Sequence, residues 1–177
     1  MKLKIKVREI TKGCMPEINP KGDLIDLRAA DNYEFKAPQS GVLKRTQVNG
    51  ETESHRDVTF DEQMVRLGVA MELPKGMMAK LRGRSSLTKK HGVMLACSGE
   101  IDNCYNGNND EWLLRLIAIK EGFIEKGTRI AQFEVVPSQK ATMWQKLKWL
   151  FSSGVKLVQV DKLENKDRNG FGSTGIK

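Results

Sequence analysis

The residues with the greatest chemical potential lie between Gly83 and Tyr105. Arg84 stands beside the hydroxyls of Ser85 and Ser86, Lys89 and Lys90 follow, and Asp102 and Tyr105 come soon after. A guanidinium fork with neighbouring hydroxyls can hold phosphate oxygens. A positioned carboxylate can take a proton from a water, and an aromatic ring gives a sugar or base a flat surface to pack on. Asp102 follows the apolar Ile101 and is expected to be partly desolvated. Taken alone, the Arg-Ser-Ser run is equally the composition of a basic surface turn.

The end of the chain adds a second candidate, Gly170-Phe171-Gly172-Ser173-Thr174-Gly175. Small residues let backbone N–H groups close on an anion, Ser173 and Thr174 add donors, and Phe171 can stack on a base. It is no Walker loop, because only Ile176 and Lys177 follow it and no helix can present its N-terminus. The sequence contains no H-E-x-x-H, no H-x-E with P-C-x-x-C, no G-x-S-x-G elbow and no G-x-G-x-x-G after a strand. His55 reads as a solvated loop residue, and a pairing of His91 with Cys97 or Ser98 across a strand is disfavoured. Asp23 and Asp26 flank apolar residues and read first as turn or cap acids.

The elements that must position these groups are short and mostly extended. Lys2, Lys4, Lys6 and Arg8 alternate with Leu3, Ile5 and Val7, the period of a half-buried strand. Strands are also expected over Leu24–Ala30, Val65–Leu73, Met77–Leu81, Trp112–Ile119, Arg129–Val136 and Val155–Val160. Pro74-Lys75-Gly76 reads as a turn, and Asn49-Gly50 as the tip of a hairpin in a polar surface excursion. Short strands without alternating helices imply an all-β, antiparallel sandwich or barrel. One amphipathic helix is expected from about Ala141 to Phe151, with Met143, Trp144, Leu147, Leu150 and Phe151 on one face and Trp149 opposite. Its stripe is expected to pack on the protein's own sheet or a subunit interface; docking to a protein, nucleic acid or membrane surface is the alternative.

The chain has 177 residues, enough for one domain with a real core. Its apolar fraction of 39% and aromatic fraction of 6% make a lean core that a subunit interface would supplement. A net charge of +8 favours anionic partners without choosing among them. Cys14, Cys97 and Cys104 are odd in number and lack C-x-x-C spacing, which argues against a disulfide framework or zinc site and for a reducing, cytoplasmic setting. No apolar run approaches the roughly 20 residues of a membrane span.

Five segments, in order, resemble the motifs of the trimeric deoxyuridine triphosphate nucleotidohydrolases (dUTPases). They are Gly22 to Ala29, Gly83 to Leu87 with Lys90 to Val93, Gly99 to Gly107, Gly127 to Gln132, and Gly170 to Gly175. The resemblance implies a jelly-roll-like domain over 1–163, with a helical insertion at about 139–152 and a mobile arm over 164–177. It implies a homotrimer whose sites are shared between chains, and hydrolysis of dUTP to dUMP and pyrophosphate by water attack on the α-phosphorus. Such an activity limits uracil incorporation into DNA and supplies dUMP. Mg²⁺ would travel on the triphosphate, with Asp26 supporting its water shell.

By the same resemblance Asp102 is the general base and Tyr105 the sugar platform, while the hairpin backbone at Gly99 to Ile101 reads the uracil edge. Arg84, Ser85, Ser86 and Gln132 hold phosphates; Phe171 caps the base, and Gly172, Ser173 and Thr174 close on the terminal phosphate. Arg168 matches the family's arginine ahead of the last motif but lies nearer Phe171 than the pattern has it. Glu100 takes a usually apolar place, and Cys104 replaces a common acid. A dCTP deaminase of the same fold is the sister reading, opposed by Trp112-Leu113-Leu114-Arg115 where that family needs a glutamate. A nucleotide-sensitive regulatory protein, meeting a protein or nucleic acid through the 141–151 helix, is a reading of another class.

Overall fold

The computed structural model describes residues 1–97 and 99–168, except for the side chain of Val42. The first half of the chain forms β1 (Leu3–Glu9), β2 (Glu17–Ile18), β3 (Ile25–Arg28), β4 (Tyr33–Phe35), β5 (Gln39–Val48), β6 (Glu51–Thr59), β7 (Glu62–Glu72) and β8 (Met77–Gly83). Then come α1 (Leu87–His91), β9 (Val93–Leu95), β10 (Gly99–Ile101), β11 (Glu111–Ala118), β12 (Gly122–Ile124), β13 (Arg129–Pro137), α2 (Met143–Leu150) and β14 (Val155–Gln159).

Two five-stranded sheets face each other, in the orders β14-β1-β7-β11-β9 and β10-β8-β13-β3-β2. The pairings are antiparallel except that β14 runs parallel to β1, Leu3 opposite Val155. Alternation places Leu3, Ile5 and Val7 inside with Lys4 and Lys6 outside, and Trp112, Leu114 and Leu116 inside β11. The inner faces meet where the buried ring of Trp112, from one sheet, sits edge-on to Phe133 of the other, centroids 5.0 Å apart and planes at 71°. The expected all-β architecture is thus a sandwich.

The excursion after β4 is a long hairpin, β5 and β6, whose Asn49 and Gly50 take φ of 54° and 85°. Two consecutive positive φ values are the signature of a type I′ turn, which matches the twist of the flanking strands. Every residue of β6 is exposed. His55 lies there 3.8 Å from Asp57, whose carboxyl is held below its usual range chiefly by a hydrogen bond from Lys44.

The helix forms where its pattern places it, but its apolar stripe does not pack on the chain's own sheet. Met143, Trp144, Leu150 and Phe151 are 63–81% exposed, so most of the apolar stripe faces solvent in the single chain. The opposite side is the one that docks: Trp149 Nε1 donates to Val135 O at 2.9 Å, and a Cβ at Gly76, where φ is +78°, would collide with Gln145. A capping box between Thr142 and Gln145 fixes the helix start. An indole N–H needs an acceptor when covered, and the carbonyl of β13 supplies it. No helix among the described residues is long and apolar enough to cross a membrane.

Candidate active site

The expected site residues fall into two groups carried by opposite ends of β8. At its C-terminal end the chain turns through Arg84, tied by Arg84 N to Ile130 O at 3.0 Å and by Leu87 N to Arg84 O at 2.9 Å, while buried Leu87 anchors α1. Arg84 Nη1 lies 2.6 Å from Asp26 Oδ2, and Arg129 Nη1 meets the same oxygen at 3.1 Å. The Arg84–Asp26 contact is a close ion pair whose N–H is not aligned as a hydrogen bond. Asp26 is only 3% exposed on β3, and Gln132 stands beside it in register on β13. Arg84, Gln132 and Asp26 therefore converge; Ser85 is exposed and Ser86 half-buried at the start of α1.

The turn and cap reading of Asp26 is corrected: it lies inside a strand and neutralises two arginines. Arg129 escaped the sequence reading, though its place three residues before Gln132 on a strand was available. Arg28 and Glu17, 2.7 Å apart, extend the charge network outward.

At the other end of β8, β10 pairs antiparallel with it, Gly99 opposite Leu81 and Ile101 opposite Ala79. Asp102 leaves the sheet here. Its side chain is 63% exposed, so the expected partial desolvation is not found within one chain: β10 is a three-residue edge strand and the backbone turns outward after it. Arg168 Nη1 pairs with Asp102 Oδ2 at 3.1 Å and also contacts Cys104 Sγ at 2.7 Å. Tyr105 is half-buried against the core, its hydroxyl donating to Glu111 O at 2.8 Å. Burial, followed by nearby Asp110 and Glu111, raises its pKa and keeps it a neutral phenol.

Asn103 had read as a spacer. Its Nδ2 donates to Pro74 O at 2.9 Å and Met77 O at 3.0 Å, pinning the turn before β8 and thereby the backbone of its neighbour Asp102. Such a role depends on partners about 30 residues away and leaves no local signal.

Asp102 opens onto a cleft of about 1070 Å³ beside Lys75, Lys80, Lys140, Lys166 and Arg168. This cationic rim suits a polyphosphate. A separate hollow of about 840 Å³, between Met15 to Ile18 and Val155 to Leu157, contains none of the expected site residues. Asp102 and Arg84 are separated along β8 by about six residues, roughly 20 Å at a strand's rise. The structure of one chain does not bring them together. Phe171, Gly172, Ser173 and Thr174 lie outside the described residues.

A family model described as dUTPase matches residues 52–175. The chain belongs to the dUTPase family. It is 35% identical over 178 residues to an SPbeta prophage-derived deoxyuridine 5'-triphosphate nucleotidohydrolase of Bacillus subtilis, with 100% of both chains covered. A deoxyuridine 5'-triphosphate nucleotidohydrolase of Hydrogenobaculum is 40% identical over 121 residues, 67% of this chain and 74% of the relative. Among solved structures, the dUTPase of phage phi11 of S. aureus superposes with a TM-score of 0.57 at 16% identity, over 78% of this chain and 94% of that one. That likeness speaks for the fold. The dCTP deaminase reading is not favoured: Trp112 and Leu114 of the dUTPase-family strand β11 are buried in the core, and Arg115 pairs with Glu62. His91 Nδ1 meets Phe123 O at 2.8 Å. The three cysteines are free.

Proposed function

We propose that this protein hydrolyses dUTP to dUMP and pyrophosphate, with Asp102 as the general base. The observation that carries this reading is Asp102 at the mouth of a lysine-rimmed cleft, three residues from a ring fixed by its own hydroxyl. Asp102 orients a water toward the α-phosphorus and takes its proton as the oxygen–phosphorus bond forms and pyrophosphate departs. Tyr105 packs beneath the deoxyribose. The edge of β10 at Gly99 and Ile101 offers backbone donors and acceptors to a pyrimidine edge. Arg84, Ser85, Ser86 and Gln132 hold phosphate oxygens, where positioned cations and donors lower the barrier. Arg168, with Phe171, Gly172, Ser173 and Thr174, completes the enclosure.

The separation of Arg84 from Asp102 supports a site assembled between subunits, and we read the working form as a homotrimer. Magnesium fits as a passenger on the triphosphate. Among the described residues no cluster of three or more His, Cys, Asp or Glu side chains forms a protein-held site. Both arginine contacts of Asp26 use Oδ2, which leaves Oδ1 the oxygen suited to a metal-bound water. When bound, the ion neutralises charge on the triphosphate.

The test is pyrophosphate release from dUTP, dCTP and dTTP, measured side by side with Mg²⁺. Turnover confined to dUTP is expected; equal turnover of all three, or ammonia release from dCTP, contradicts the reading.

A further inference from the structure

The apolar stripe of α2 has a lysine on each of its borders. At about 100° per residue the helix sets Leu150, Met143, Leu147, Phe151 and Trp144 on one arc of roughly 120°, with Lys146 just beyond Leu150 and Lys148 just beyond Trp144. Both lysines are exposed, and Trp144, at 81%, is the most open large apolar side chain among the described residues. Gln145 and Trp149 occupy the opposite arc and hold the helix to the body of the protein, against Gly76 and Val135. Met1, also exposed, continues the apolar surface past the helix, because its carbonyl accepts from Ser153 N at 2.9 Å, just after Phe151. From Val135 to Val160 the sequence has four lysines and no aspartate or glutamate. Even the first turn of α2, where a helix favours carboxylates, contains none.

We infer that this face of α2 is a docking surface for an anionic lipid bilayer, on which the helix lies in the headgroup plane with its apolar stripe turned toward the acyl chains. Tryptophan, leucine, phenylalanine and methionine enter the interface, while the lysine stems run along them and place their ammonium groups at the phosphates. A flat anionic sheet meets both borders of the stripe at once, which is where the lysines stand. A protein groove that wraps a helix needs more than one of its faces, and the arc carrying Trp149 is already taken. A second copy of the stripe would bring Lys146 and Lys148 against their equivalents, with no carboxylate from this segment to offset them. A nucleic acid would pair with the lysines but leave the stripe in water. Gln145, on the docked arc, borders the Asp102 cleft, so a bilayer at the stripe leaves the cleft open to a nucleotide. Docking of this kind does not depend on the proposed hydrolysis.

The experiment is flotation of the full-length protein with vesicles of phosphatidylcholine alone and of phosphatidylcholine mixed equally with phosphatidylglycerol. Co-flotation with the anionic vesicles, little with the neutral ones, and a blue shift of tryptophan emission as Trp144 leaves water are expected. Binding should weaken on the order of 30-fold in a Lys146→Gln, Lys148→Gln double variant, because each lysine near an anionic surface contributes a factor of about five. Trp144→Ser should lose the blue shift and most of the binding. These side chains are exposed, so unfolding midpoints should hold, and dUTP turnover should be the same free and on vesicles. Absence of flotation with anionic vesicles, or equal flotation with neutral ones, overturns the inference. Binding that survives all three substitutions places the contact elsewhere and overturns the assignment to α2. A change of assembly size in Trp144→Ser, read by light scattering, would place the stripe between copies of the chain and overturn it as well.

Discussion

Arg168 Nη1 stands 3.1 Å from Asp102 Oδ2, across 66 residues of sequence. The general-base candidate therefore already has a cationic partner before any nucleotide enters, and Cys104 shares that partner. An ion pair this exposed adds little to stability and is easily exchanged for another. A triphosphate can draw the guanidinium away and leave the carboxylate to a water.

Asp102→Asn is expected to keep dUTP binding and lower kcat by about 10²–10⁴-fold, the usual contribution of a positioned base. Steady-state kinetics together with calorimetric titration of a non-hydrolysable analogue separates the two effects. Near-normal turnover would remove Asp102 from its role.

Much of this was legible in the sequence because it is local. Period-two alternation marked β1, β7, β11 and β13, Asn49-Gly50 marked its hairpin, and helical spacing marked α2. What escaped depends on distant partners. Alternation cannot say that Asp26, on a strand buried on both faces, meets an arginine 58 residues away at Arg84 and another at Arg129. An apolar stripe cannot say which side of a short helix docks when one indole N–H finds a carbonyl opposite the stripe. The motif order carried Arg84 and Asp102 into one expected site, whereas their places on β8 put them at its two ends.

Arg84→Ala leaves Asp26 buried with Arg129 as its remaining close cation. Stability is expected to fall by about 1–3 kcal/mol, the cost of weakening the compensation of a buried charged group. Urea unfolding reads this as a lower midpoint at unchanged slope. KM for dUTP should rise as well. Arg84→Lys keeps the charge but loses the fork, and should recover stability better than KM.

Trp149→Ala removes the hydrogen bond to Val135 O and the side chain that fastens α2. A helix of eight residues is marginal by itself. Hydrogen exchange over 143–150 should approach unprotected rates while β13 stays protected. Thr142→Ala, which breaks the capping box, is expected to weaken the same segment by about 1 kcal/mol. Full protection in Trp149→Ala would locate the anchor elsewhere.

Acid should loosen the root of the arm through Asp167. Hydrogen bonds from Asn109 hold its carboxyl below the usual aspartate range. A depressed carboxylate contributes stability that is fully present above its unfolded pKa and is lost as pH falls through the folded one. The Asn109 amide should therefore stay protected through the neutral range and lose protection only below about pH 4, as NMR can follow. Loss of that protection between pH 6 and 7 would exclude Asp167 as the group responsible.

The β5–β6 hairpin offers a practical handle. Its tip at Asn49-Gly50 is exposed, β5 and β6 pair with each other, and neither Asp102 nor Arg84 lies on it. Exposed tips of this kind accept insertions. A peptide tag or fluorophore spliced between Asn49 and Gly50 would make each chain separately visible, so the stoichiometry of a mixed assembly could be counted without altering either end of the polypeptide.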